Sequence, residues 1–188
     1  FALSLTRGLR LESDLKVGTY LPMIYHVGDQ PFTYSVFLCA GTLVLGRRPN
    51  PDHIAEMIDA EGVTALWAGS PAMVRALDAV LTARPDLDAR SLTVIVYGWA
   101  ALPPATLASM KRHCGDDLCV FEIFGQTESI SCHRFWPGEW PELYAATAPQ
   151  QNYVGVPSPI LASTVLDPDF YFVENDELRA DHAFSVFG

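Results

Sequence analysis

The sequence predicts an α/β fold: a mostly parallel sheet flanked by helices, with a short β-rich segment after about residue 150. Three observations carry that prediction. Short apolar runs alternate with helix-like segments between residues 42 and 121, the rhythm of a chain that crosses over between parallel strands. The run at 92–97 is nearly continuous in β-branched and aliphatic residues, as a strand buried on both faces requires. Helix starts recur as a capping side chain followed by proline, at Asn50-Pro51 and Ser70-Pro71.

The elements follow in order. Residues 17–25 are apolar enough for a buried strand, and 29–40 carries aromatic and aliphatic residues suited to a buried helix ending at Gly41. A strand at 42–45 precedes the helix opened by Asn50-Pro51-Asp52, whose apolar stripe is Ile54, Met57 and Ile58 and whose stop is Gly62. After a strand at 63–68, Ser70-Pro71 opens a helix through Met73, Val74, Leu77, Val80 and Leu81 that closes before Pro85. Residues 86–91 read as loop, 92–97 as strand, 102–113 as a helix started by Leu102-Pro103-Pro104, and 118–121 as the last clear strand. Beyond Ser129 the character changes: Trp136-Pro137-Gly138-Glu139-Trp140-Pro141 reads as a rigid loop, and 152–166 as short, proline-punctuated strand pieces. Residues 1–150 are therefore assigned to a central α/β subdomain and 151–188 to the start of a β-rich one. The first residues, with Leu3, Leu5, Leu9 and Leu11 among polar ones, read as the inside of an amphipathic helix, so a fragment of a longer protein is expected.

Composition narrows the function classes. With 49% hydrophobic residues the 188-residue chain can bury a sizeable core. A net charge of -10 argues against broad nucleic-acid or anionic-membrane binding, while leaving room for a pocket that holds one phosphate group. Cys39, Cys114, Cys119 and Cys132 show no zinc-site spacing and sit in apolar surroundings, so they read as reduced thiols of a cytoplasmic protein. No apolar run reaches the roughly 20 residues that span a bilayer. His53, His113, His133 and His182 match no ligand spacing. Neither the Gly-x-Ser-x-Gly elbow of a hydrolase nor a Gly-x-Gly-x-x-Gly turn after a strand is present.

The most informative stretch is Ile123-Phe124-Gly125-Gln126-Thr127-Glu128-Ser129, at the end of an apolar run. Glycine admits an anion close to the backbone, the Thr127 hydroxyl can donate to a phosphate oxygen, and the adjacent carboxylate of Glu128 can hold Mg²⁺ against the same phosphates. The same residues equally suit a helix start, with Thr127 as N-cap and Glu128 complementing the macrodipole.

Taken with three further segments, that stretch resembles the adenylate-forming enzymes, the superfamily of acyl- and aryl-CoA synthetases, luciferases and peptide-synthetase adenylation domains. Pro22-Met23-Ile24-Tyr25-His26-Val27-Gly28 resembles their Pro-x-x-His-x-Gly element, one residue longer, and Tyr97-Gly98-Trp99-Ala100-Ala101-Leu102-Pro103 resembles Gly-Gly-Ala-Pro-Leu-Pro. Phe124-Gly125-Gln126-Thr127-Glu128 resembles Tyr-Gly-x-Thr-Glu, and Asn152-Tyr153-Val154-Gly155-Val156-Pro157 resembles Gly-x-Val-Gly-x-Pro. The resemblance implies that Thr127 contacts the phosphate of ATP and of the acyl-adenylate, that Glu128 ligates Mg²⁺, and that His26 approaches the carboxylate substrate. It implies a cofactor surface made by Gly98, Trp99, Ala100, Phe124, Gly125, Gln126 and Thr127, with Phe124 stacking near adenine and the 98–100 turn lying between adenine and the acyl group. Trp99 stands where the family has a very small residue, so the acyl pocket is expected to be shortened or reshaped; with the aromatic-rich 32–37 helix it points to a confined apolar acyl group.

The function implied is that of an ATP-dependent acyl-CoA synthetase, an acid-thiol ligase acting on a small-molecule carboxylic acid, ATP and CoA. The alternatives are transfer to a carrier protein or a non-catalytic nucleotide-binding module. The family's lysine-ended phosphate loop, Thr-Gly-Asp ribose element and C-terminal lysine do not occur in this sequence, and the β-hairpin that should precede the Phe170–Phe187 segment is missing after Asp169. The 188 residues alone are therefore expected to be inactive.

Overall fold

The computed structural model describes residues 15–21, 33–126 and 129–158, without the side chains at 126 and 129–132. Seven strands form one sheet: β1 (Lys16–Thr19), β2 (Thr42–Leu45), β3 (Ala65–Gly69), β4 (Val94–Tyr97), β5 (Cys119–Gln126), β6 (Ser129–Phe135) and β7 (Val156–Pro157). Five helices accompany them: α1 (Tyr34–Leu38), α2 (Pro51–Glu61), α3 (Pro71–Ala83), α4 (Pro104–Cys114) and α5 (Pro141–Thr147). The spatial order is β2-β1-β3-β4-β5-β6-β7, parallel from β2 through β5 and antiparallel across β5–β6 and β6–β7.

The helix boundaries follow from local chemistry. At the start of α2 the Asn50 side chain accepts the backbone N–H groups of Asp52 and His53 at 2.9 and 3.2 Å, and Gly62 ends the helix in the left-handed region at φ 62°. Ser70 caps α3 through the Met73 N–H at 3.4 Å. Strand residues then divide by parity. Leu66, Ala68, Ile95, Tyr97 and Val120 meet Ile54, Ile58, Val74, Leu77 and Met110 of α2, α3 and α4 in one core. Val17, Ala65, Trp67, Val94, Val96, Phe121 and Ile123 point to the other face, where Val36 of α1 packs. Right-handed crossovers require this partition, because the chain steps from β1 to β2 in one direction and from β2 through β5 in the other.

Two sequence expectations are corrected. The 29–40 helix is described only at α1, five residues of which Ser35 and Val36 are buried while Tyr34, Phe37 and Leu38 are exposed, so this element is no buried helix. Ser129 begins β6, which pairs with β5, so the helix-start reading of Thr127 and Glu128 fails: the backbone bonds of 129–135 go to a strand. The 136–141 segment is a turn that leads directly into α5, with Pro141 in its first turn. β7 joins β6 and so extends the same sheet.

Candidate functional site at the strand ends

Parallel pairing carries the C-terminal ends of β1, β3, β4 and β5 to one edge of the sheet. The chain leaves β1 for β2 on one side and runs on through β3 to the other, so the strand order reverses at β1/β3; open α/β sheets bind ligands at the strand C-terminal edge near such a point. Tyr20, just after β1, spans that point by donating its hydroxyl to the Ala68 carbonyl at 2.7 Å. Burial raises its pKa and keeps it a neutral donor.

The turn after β4 is built by close approach. A Cβ at Gly98 would lie 2.8 Å from the Ile123 carbonyl oxygen of β5, so only glycine lets the two strand ends stay together. The Gly98 N–H is bonded to the Gly69 carbonyl at 2.8 Å, tying the β3 end into the same rim. Trp99 follows at φ 73°, in the left-handed region that disfavours a bulky residue. Its indole is 74% exposed, tilted over Trp67 at 5.9 Å between ring centroids, with an edge 3.4 Å from where a Gly69 Cβ would sit. This excludes an indole packed away beneath the sheet: Trp99 is a wall standing at the rim. Ala100 beside it is exposed.

Across from this turn lies the end of β5. Phe124 is half-buried, its ring edge-on to His133 of β6 at 6.1 Å, and Gly125 is exposed. Burial lowers the His133 pKa, so the imidazole is held neutral. Gln126 stands opposite Ser129 in the β5–β6 ladder, its side chain outside the described residues. Thr127, Glu128 and His26 also lie outside them. The structure thus brings together Gly98, Trp99, Ala100, Phe124 and Gly125, and the backbone at Gln126. Among the described residues no group of three or more His, Cys, Asp or Glu side chains is placed to hold a metal ion, and no helix is long and apolar enough to cross a membrane.

Sequence reasoning missed Tyr20, Gly69 and Glu122. Gly69 had a legible signal, a glycine between a buried strand and a capped helix. Glu122 had a weaker one, a carboxylate inside the apolar run Val120-Phe121-Glu122-Ile123. It is 2% exposed, and burial pushes its pKa up to about 7 against hydrogen bonds from Asn152 and Tyr97. A separate 650 Å³ open groove lined by Asp86, Asp88, Arg90, Arg112 and His113 lies where α3 and α4 end, at the opposite edge of the sheet. Helix C-termini there direct carbonyl oxygens outward, a poor setting for a polyphosphate.

A family model described as AMP-binding enzyme matches residues 2–177. A comparison with curated proteins returned no match. Among solved structures the chain is similar to the crystal structure of VinN, at 20% identity and TM-score 0.72 over 92% of this chain and 40% of that one. It is similar to the amide bond synthetase Mcba from Marinactinospora thermotolerans, at 21% identity and TM-score 0.68 over 92% of this chain and 33% of that one. It is also similar to the O-succinylbenzoate coenzyme A synthetase MenE from Bacillus subtilis, in complex with ATP and magnesium ion, at 18% identity and TM-score 0.66 over 92% and 33%. At these identities the likeness is one of fold. The chain spans 33–40% of the length of these three structures.

Proposed function

The chain belongs to the AMP-binding enzyme family, and from that premise we propose that it forms the adenylate-facing part of an acid-activating ligase. In the first step a carboxylate oxygen attacks the α-phosphorus of ATP, giving an acyl-adenylate and releasing pyrophosphate. In the second a thiol, which we assign to CoA, attacks the acyl carbon, giving a thioester and releasing AMP. The single observation that supports this reading most is the juxtaposition of the Gly98–Trp99–Ala100 turn with the Ile123–Phe124–Gly125 strand end, where a Gly98 Cβ would lie 2.8 Å from the Ile123 oxygen.

Each residue then has a physical task. Exposed main chain at Ala100 and Gly125 lets a planar base approach without side-chain obstruction, and the Phe124 ring offers an apolar face beside it. Trp99 bounds the acyl side and favours a compact apolar acid over a long chain. Thr127 donates its hydroxyl to a phosphate oxygen. Glu128 would hold Mg²⁺ together with phosphate oxygens of the substrate. That ligand set suits an ion that usually takes only one or two carboxylates, so it needs no acidic cluster such as the described residues lack; when bound, the ion supplies charge neutralisation. His26 donates a hydrogen bond to the carboxylate. Positioning and charge stabilisation account for the chemistry, since phosphoryl transfer asks little covalent participation from side chains.

The test uses the full-length protein. Glu128→Ala should slow acid-dependent pyrophosphate exchange by roughly a hundredfold while leaving the fold intact. Exchange at the wild-type rate removes Glu128 from the site. Thioester formation with CoA, followed by loss of free thiol, identifies the acceptor.

A further inference from the structure

Glu122 takes no part in the chemistry proposed above, yet it is buried, at the head of a chain of hydrogen bonds that runs through Tyr97 and Leu102, the residues on either side of the Trp99 turn. The Tyr97 hydroxyl donates to Glu122 Oε2 at 3.2 Å. The same hydroxyl is hydrogen-bonded by the main chain of Leu102, and the Leu102 carbonyl accepts the Tyr144 hydroxyl at 2.5 Å. The Asn152 side chain bonds the Glu122 carboxyl from the segment that leads into β7. Tyr97 and Leu102 are both fully buried. They bracket the turn that carries exposed Trp99 at φ 73°, a backbone state that persists only where the surroundings hold it.

We propose that Glu122 is a positioning residue: by accepting the Tyr97 proton it turns the Tyr97 oxygen toward Leu102 and so holds the Trp99 turn in the pose that faces the substrate. A hydroxyl that donates in one direction is a better acceptor from the other, so the two bonds at the Tyr97 hydroxyl reinforce one another. What Trp99 faces rests on the adenylate-forming reading; the mechanical link from Glu122 to Trp99 does not. Among the described residues the titratable groups facing Glu122 are Tyr97 from β4 and Tyr144 from α5, both held neutral by burial. β6 presents Phe135 opposite Glu122, while Arg134 shares the other face with Ile123. With its carboxyl poised at about 7, Glu122 changes from a pure acceptor to a donor-acceptor near neutrality. Asn152 Oδ1 is buried and has no hydrogen-bond partner among the described residues, which gives the protonated form an acceptor once the amide turns. Protonation therefore rearranges the cluster, and the Trp99 turn responds.

The experiment follows Trp99 directly in the full-length protein. Its contribution to tryptophan emission and to acrylamide quenching is taken as the difference between wild type and Trp99→Phe, each in Glu122 and Glu122→Gln backgrounds, between about pH 5.5 and 8.5. The wild-type Trp99 signal should titrate near neutrality, the Glu122→Gln signal should be flat, and Tyr97→Phe, which keeps the ring and removes the link, should flatten it too. In pyrophosphate exchange, Glu122→Gln should raise the KM for the acid on the order of tenfold at pH 8 with a smaller change in the KM for ATP. Superposable Trp99 signals in wild type and Glu122→Gln across the range overturn the proposal, and Tyr97→Phe decides it should the Gln variant not fold. Absence of exchange in the wild type refutes the adenylating reading, while the fluorescence still judges the positioning.

Discussion

Replacing Glu122 by Gln should reverse part of the protein's pH-stability profile, and the size of the effect follows from burial. The carboxyl is 2% exposed, and its pKa rises from an ordinary 4.5 to about 7, first through desolvation. At about 1.4 kcal/mol per tenfold change in proton affinity, the folded state favours the neutral form by about 3 kcal/mol more than the unfolded chain does. A raised carboxyl means that the folded protein binds the proton more tightly, so this group's contribution is fully present below pH 4.5 and is lost as pH rises through about 7. Gln has no such dependence. The stability of Glu122→Gln relative to wild type should therefore climb by about 3 kcal/mol between pH 4.5 and pH 8, whatever its starting offset. Urea unfolding of the intact protein at several pH values measures this, and the difference between the two proteins cancels every other titrating group. A difference constant to within about 0.5 kcal/mol refutes the reasoning; a difference that shrinks means the carboxylate is stabilised where it lies.

Three glycine and tryptophan substitutions probe the same region. Gly155→Ala should cost about 3 kcal/mol or more in denaturant unfolding, because Gly155 sits at φ 79° and a Cβ there overlaps the Arg134 carbonyl of β6. Gly98→Ala places a methyl 2.8 Å from the Ile123 oxygen and should force the β4 and β5 ends apart, costing about 1–3 kcal/mol in stability and raising the KM for ATP in exchange assays; an unchanged KM separates this turn from the base-binding surface. Trp99→Gly relieves a left-handed backbone at φ 73° and should stabilise the protein by about 1 kcal/mol in thermal unfolding, while admitting longer acids in a substrate panel.

The fold was legible where secondary structure is decided locally. Asn50 and Ser70 sit beside the amides they cap, Pro51 and Pro71 follow at once, and Gly62 stops α2, so these boundaries could be read without knowing the partner elements. The second half was less legible because its organisation comes from distant contacts. β5 runs past the apolar segment to Gln126, through Glu122 and Gly125, since β6 pairs with it on the far side. β6 itself carries Arg134, buried against Ser158 with an Nη2 to Oγ distance of 3.2 Å, and no rule of alternation makes an arginine an interior residue. α5 hides behind Trp-Pro-Gly-Glu-Trp, and its docking depends on a Tyr144–Leu102 bond between residues 42 apart. The candidate site divides in the same way: the Gly98–Ala100 turn and Phe124–Gly125 are proposed from motif residues, whereas Glu122 acquires its meaning only from Tyr97 and Asn152.

Trp99 links these two levels. A glycine in its place would satisfy the backbone and open the rim, so the indole is retained against a local conformational preference, and something must hold it there. Two features do so: its contact over Trp67 at 5.9 Å, and the fixing of Tyr97 and Leu102 on either side of the turn. The first is an apolar contact at a solvent edge and tolerates small movements. The second is a buried network with defined donors and acceptors, in which one lost bond leaves polar groups unsatisfied. On the positioning proposed for Glu122, the network sets the angle of the indole and Trp67 supports it. If the Trp99 turn bounds the acid as proposed, specificity for that acid would be set from beneath the sheet edge, by residues that never touch the substrate.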